Sequence, residues 1–95
     1  MRLGTFRKTP VEVKRYTIDY TNWLDEGETI ASRAFAVSPS GALNVPSSLI
    51  LTGNLKLSFF VAGGNDGETY RVSVTMTTSA GQIKEDVLYF SVKAA

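Results

Sequence analysis

The chain predicts an all-β fold: one immunoglobulin-like antiparallel β-sandwich of six to seven strands with an extended N-terminal arm. Three observations carry this. Apolar residues recur at every second position through most of the chain, the period that sends side chains to one face of a strand. Turn residues interrupt the pattern about every 8 to 12 positions, the spacing of a sandwich or barrel. No segment shows an apolar face at helical spacing.

The strands follow in order. Tyr16, Ile18 and Tyr20 alternate with polar residues, and Trp23 and Leu24 come directly after. Asp25-Glu26-Gly27-Glu28 is a polar turn. Residues 29–37 form a second strand, with Phe35 and Val37 on one face, and Pro39-Ser40-Gly41 breaks it. Leu43 and Val45 make a short strand that stops at Pro46, and residues 47–54 read either as strand and turn or as linker. Leu55, Leu57, Phe59 and Val61 define a strong strand, which ends in the clearest turn of the chain, Gly63-Gly64-Asn65-Asp66-Gly67. Tyr70, Val72, Val74 and Met76 alternate next, Ser79-Ala80-Gly81 is a hairpin turn, and residues 82–93 close the fold. Ile83, then Leu88, Phe90 and Val92, are the expected core side of this last strand, and the change of parity between 83 and 88 suggests a bulge or twist near Glu85 and Asp86.

Gly67-Glu68-Thr69-Tyr70 matches the opening of a tyrosine corner, in which the hydroxyl bonds back to upstream backbone. The plainer reading is a strand tyrosine facing the core. Residues 1–15 carry Arg2, Arg7, Lys8, Lys14 and Arg15 against Glu12 alone. Residues 1–12 are expected to be an arm outside the sandwich or only partly ordered, with the sandwich domain spanning 13–95. Removing the first nine residues is then expected to spare the fold and weaken assembly.

Composition narrows the chemistry. The 95 residues suit one domain, which at this size buries roughly 64% of the unfolded surface. There is no Cys, so disulfides and thiolate metal sites are excluded. There is no His, which removes the usual general base and the Ser-His and Cys-His nucleophile pairs. A net charge of +1 gives no strong field toward nucleic acid or membrane. Residues 1–15 lack the apolar region of a secretory signal, and the apolar runs are too short to span a bilayer as a helix. A soluble protein with no cofactor, metal or catalytic residue is expected.

The candidate motifs each have a bland alternative. Asp25, Glu26 and Glu28 could draw a cation, but their spacing does not supply the six to eight oxygens of a calcium site, so a solvated turn is the better reading. Asn65 and Asp66 suit the backbone of a tight turn. The glycines at 63, 64 and 67 lack the following helix that a phosphate loop needs. Asp19 is read as an outward carboxylate on an edge strand, or as a hydrogen-bonding pin for the corner at Trp23. Trp23 is read chiefly as a core or inter-sheet plug, with a surface hot spot as the second reading. The expected protein contacts are Arg2, Phe6, Arg7 and Lys8 on the arm, Trp23, Asp25 and Glu26 in one loop, and Asn65 and Asp66 in another. Asp19, Trp23 and Tyr70 are the expected structural residues.

The run Tyr16-Thr17-Ile18-Asp19-Tyr20-Thr21-Asn22-Trp23-Leu24, then Gly27-Glu28-Thr29-Ile30-Ala31-Ser32, resembles small virion proteins of tailed bacteriophages, of the fiber-tail adaptor or capsid/tail accessory kind. The pattern continues through Phe35 and Val37, through 59–64, and through Gly67 and Tyr70 to Thr77-Thr78-Ser79-Ala80-Gly81-Gln82. It spans about residues 10–93. Two positions depart from it: Gln82 stands where a basic residue is common, and Tyr20 where Trp is common. The resemblance implies a virion structural protein, made in the host cytoplasm, that adapts neighbouring proteins at the tail or head-tail region. Portal, tail, fiber or major capsid proteins would be its partners, and several copies would sit in a symmetric assembly, with neither nucleic acid nor membrane involved. A capsid decoration protein and a carbohydrate- or cell-surface-binding module are the alternatives. An exposed cluster among Tyr16, Tyr20, Trp23 and Phe35 would favour the last.

Overall fold

The alternating apolar rows are built into two facing sheets. The computed structural model describes residues 2–94; Met1, Ala95 and the side chain of Arg2 lie outside the described residues. Eight strands and no helix are found among them: β1 (Arg2–Lys8), β2 (Lys14–Asp19), β3 (Ile30–Ser38), β4 (Leu43–Asn44), β5 (Ser48–Ile50), β6 (Lys56–Gly63), β7 (Thr69–Thr78) and β8 (Ile83–Val92). One sheet has the order β1-β8-β7-β3, and the other has β2-β6-β4 with β5 also paired to β6. The sandwich is as expected, with eight strands in place of six to seven.

The additional strand is β1. The segment expected to lie outside the sandwich pairs in parallel with β8, from Thr5 opposite Tyr89 to Lys8 opposite Val92. Phe6 explains why it docks. Its ring lies 5.1 Å from that of Tyr16 and 5.6 Å from that of Phe90, so it joins the two sheets. Docking also covers the backbone edge of β8, which would otherwise stand open. The segment read as an arm because parallel pairing leaves no hairpin turn in the sequence.

The core is formed by the rows the sequence marked. Leu57, Phe59 and Val61 of β6 face Val72, Val74 and Met76 of β7, and Leu88, Phe90 and Val92 of β8 complete the layer. Phe59 is fully buried between Phe35, at 5.2 Å between ring centroids, and Tyr16, at 6.1 Å. At the β3 side the sheets are tied by Arg33, whose guanidinium donates to the hydroxyl and carbonyl oxygens of Ser48 on β5.

The irregularity expected near Glu85 and Asp86 is not in the β7–β8 ladder, whose register runs unbroken from Thr69–Ser91 to Thr77–Ile83. It lies in β1, where the register against β8 shifts between Arg2 and Gly4. Ile83 is corrected from a core position: it is out of phase because it faces solvent, at 66% exposure. The inward position on β8 below Leu88 belongs to Asp86, which is wholly buried.

Candidate protein-docking surfaces

Strand directions collect the candidate residues at two opposite ends of a molecule 44 Å long and about 20 Å across. The end of β2, the start of β3 and the β7–β8 hairpin meet at one end. The turn after β6, the end of β8 and the end of β1 meet at the other, where Gly67 N–H donates to the Val92 carbonyl and Lys93 N–H to that of Lys8.

At the first end, Asp19 caps the corner. Its carboxylate accepts the backbone N–H of Thr21 at 2.9 Å and also the Thr21 hydroxyl, and these bonds hold its pKa below the ordinary carboxylate range. The Tyr20 carbonyl then accepts from the N–H groups of Trp23 and Leu24. This tight turn sends Leu24 toward the core and leaves Trp23 at the surface. Trp23 is 38% exposed, so the plug reading is corrected: Leu24 packs against the core while the indole stands outside, with the Lys84 ammonium 5.6 Å from its ring.

The acidic trio separates. Asp25 and Glu26 are exposed, but Glu28 is buried, which corrects the expected solvated turn. Its carboxylate accepts the Thr78 hydroxyl, both of its oxygens lie 3.0–3.1 Å from Gln82 Nε2, and the Asp25 N–H donates to it at 3.0 Å. The Thr78 bond, followed by the Asp25 N–H and the Gln82 amide, lowers its pKa. Glu28 thereby joins the loop before β3 to the β7–β8 hairpin. Gln82 also donates to Asp25 at 3.0 Å. The Gln82 amide thus supplies a neutral donor to the buried carboxylate.

At the second end, Arg7 is exposed but Lys8 is not. Its ammonium turns inward and donates to the carbonyls of Gly63 and Thr9, and desolvation lowers its pKa against the raising influence of Glu12. Lys8 is therefore corrected from a surface contact to an internal tie between β1 and β6, and Phe6 is half-buried against aromatic neighbours. Asn65 and Asp66 are exposed, yet held: Asn65 Nδ2 donates to Glu68 at 2.9 Å, and Asp66 accepts the Ala94 N–H at 2.8 Å. Beneath them the tyrosine corner is present, with the Tyr70 hydroxyl accepting the Asn65 N–H at 2.9 Å. Gly63 and Gly64 have positive φ, and a Cβ on Gly63 would stand 2.2 Å from the Ala42 carbonyl oxygen.

Sequence reasoning missed several surface apolar side chains: Val11 and Val13 before β2, and Leu49 at 62% and Phe60 at 37% exposure on the outer face of the β5–β6 pair. A signal was present: Phe59 and Phe60 are adjacent, so one of them must face outward. The four aromatics proposed as a sugar platform do not form one. Tyr20 is buried, Tyr16 and Phe35 are half-buried, and Trp23 alone of the four is exposed.

Comparison with known proteins adds the family. No curated protein matches the chain. Among solved structures, the sandwich resembles part of the Photobacterium sp. JT-ISH-224 2,6-sialyltransferase, with a TM-score of 0.54 and 10% identity. That similarity covers 99% of this chain and 18% of the sialyltransferase chain, and it is one of fold alone. A family model described as podophage GP4 fiber-tail adaptor protein gp77 matches residues 8–91, from the last residue of β1 to the penultimate residue of β8. With that match across both sheets and both ends, the chain belongs to the podophage GP4 fiber-tail adaptor protein gp77 family of virion structural adaptors.

Proposed function

We propose that this protein is a two-ended, non-catalytic connector at the phage tail, binding a neighbouring tail protein at one end and a fiber at the other. One observation carries the reading: two loop sets stand at opposite ends of a 44 Å sandwich, and each is fixed from beneath by polar anchors. Glu28 with Thr78 and Gln82 fixes one end, and Tyr70 with Asn65 fixes the other. Pre-ordered loops lose little entropy on docking, which favours binding. Several copies in a symmetric assembly would multiply weak contacts into firm attachment. The family match supports the tail over a place on the head lattice.

The test is complementation of phage lacking the protein with two variants of altered loop charge, Asp25→Lys with Glu26→Lys, and Asn65→Lys with Asp66→Lys. Each should fold, and each should interrupt a different step: one variant should fail to enter tails, and the other should enter tails that lack fibers. Normal fibered particles from both would remove the two-ended reading.

A further inference from the structure

The two seams of the sandwich differ. The seam beside β3 is tied by Arg33 to Ser48. The seam between β1 and β2 is closed by Phe6 against Tyr16 at one part only, and a pocket of about 270 Å³ lies at its Trp23 end. Leu3, Ile18 and Trp23 supply apolar surface, Asp19 is exposed among the lining residues, and Tyr20 and Asp86 are the buried polar groups.

These two buried groups are incompletely satisfied. Asp86 Oδ1 accepts the Lys84 ammonium at 3.0 Å, but Oδ2 has no hydrogen-bond partner, and neither does the Tyr20 hydroxyl. They come from opposite sheets and approach each other: after the larger effect of desolvation, Asp86 raises the Tyr20 pKa by its charge and as a side-chain hydrogen-bond acceptor, although neither atom meets a partner in good hydrogen-bond geometry. A carboxylate oxygen buried without a donor is costly and calls for one.

The chain's own Lys84 shows which chemistry the site favours: its ammonium sits on Asp86 and 5.6 Å from the Trp23 ring. With Asp19 and Asp86 against Lys84, the charged lining is one negative in excess (two minus one). Trp23, more than a third exposed, has open surface beside it.

We propose that this pocket receives an arginine side chain from a neighbouring virion protein. A guanidinium presents several donors in one plane, so one edge can serve Asp86 Oδ2 while Lys84 keeps Oδ1. Its face can stack on Trp23, and its aliphatic stem can lie along Leu3 and Ile18. A second ammonium would meet Oδ2 as a point charge and lose the stacking. The proposal rests on the reading that the protein docks on other virion proteins, and it adds the chemistry of one contact.

Trp23 is the single tryptophan, so its fluorescence reports the pocket directly. Wild-type protein is titrated with N-acetyl-arginine amide and, separately, with its neutral isostere N-acetyl-citrulline amide. A saturable change with a Kd on the order of millimolar is expected for arginine, and no saturation is expected for citrulline. Asp86→Asn should abolish the response. Because that variant alters a buried ion pair, exposed Asp19→Asn provides a second measure and should weaken arginine about threefold. Equal responses to arginine and citrulline, a saturable response to lactose in place of arginine, or undiminished binding in Asp19→Asn would overturn the proposal. Failure here leaves the particle-assembly reading standing, since the complementation with loop-charge variants does not involve the pocket.

Discussion

The Tyr70 hydroxyl accepts the backbone N–H of Asn65 across the β6–β7 turn at 2.9 Å. Tyr70 is 1% exposed and opens the buried row of β7, so a single side chain fixes both the core layer and the loop above it. Tyr70→Phe keeps the ring and leaves the Asn65 N–H without that partner. The expected loss is about 1–2 kcal/mol, read as a lower urea midpoint at unchanged slope. A midpoint equal to wild type would show that the corner is not a stabilising device in this protein.

Glu28 sets an acid limit on stability. Its folded pKa lies below the unfolded value of about 4.3. The stabilisation is therefore fully present above the unfolded value and is lost as pH falls through the folded one. Asp19 and Glu12, also lowered, act in the same direction. Thermal midpoints should fall below about pH 4.5. Glu28→Gln should be less stable than wild type at pH 7, with the gap narrowing on acidification. A constant gap between pH 7 and pH 3 would exclude the titration of Glu28 as its cause.

Tyr20→Phe tests the opposite situation. The Tyr20 hydroxyl is buried without a hydrogen-bond partner, so removing it should leave stability unchanged or raise it by about 1 kcal/mol. Calorimetric midpoints decide this. A loss of more than about 1 kcal/mol would mean that the hydroxyl bonds Asp86 in solution.

Loss of β1 should unfold the edge of the first sheet. Phe6 is half-buried against Tyr16 and Phe90, and Phe6→Ala should cost about 2 kcal/mol. Removing the first eight residues should cost more and leave the β8 backbone open to self-association. This replaces the expectation that the segment can be cut away with the fold intact. Light scattering beside a melting curve checks both, and a monomeric truncated protein melting with the full chain would contradict the pairing of β1.

Gly63→Ala brings a side chain into positive φ and against the Ala42 carbonyl. A loss of at least about 2 kcal/mol is expected. A substitution at Gly67, where a Cβ would meet nothing within 4 Å, should retain the conformational part of that cost alone. Equal losses at the two positions would argue against the steric contact.

Alternation alone determined the sandwich, its inner rows, the turn at 63–67 and the tyrosine corner, because each is a local pattern in which facing and spacing are written residue by residue. The runs from Tyr16 to Leu24 and from Gly27 to Ser32, with the pattern that continues to Gln82, also carried the resemblance to the family that the comparison shows. Tertiary structure alone decided what depends on partners far along the chain. Parallel pairing made residues 2–8 a strand and turned Lys8 inward to Gly63, 55 positions away. Glu28 left the solvent because Thr78 and Gln82 meet it from the β7–β8 hairpin, and Trp23 stayed outside because Leu24 packs against the core. Charged and aromatic side chains take whichever face satisfies their polar atoms, and for these residues the satisfying atoms belong to strands brought together only on folding.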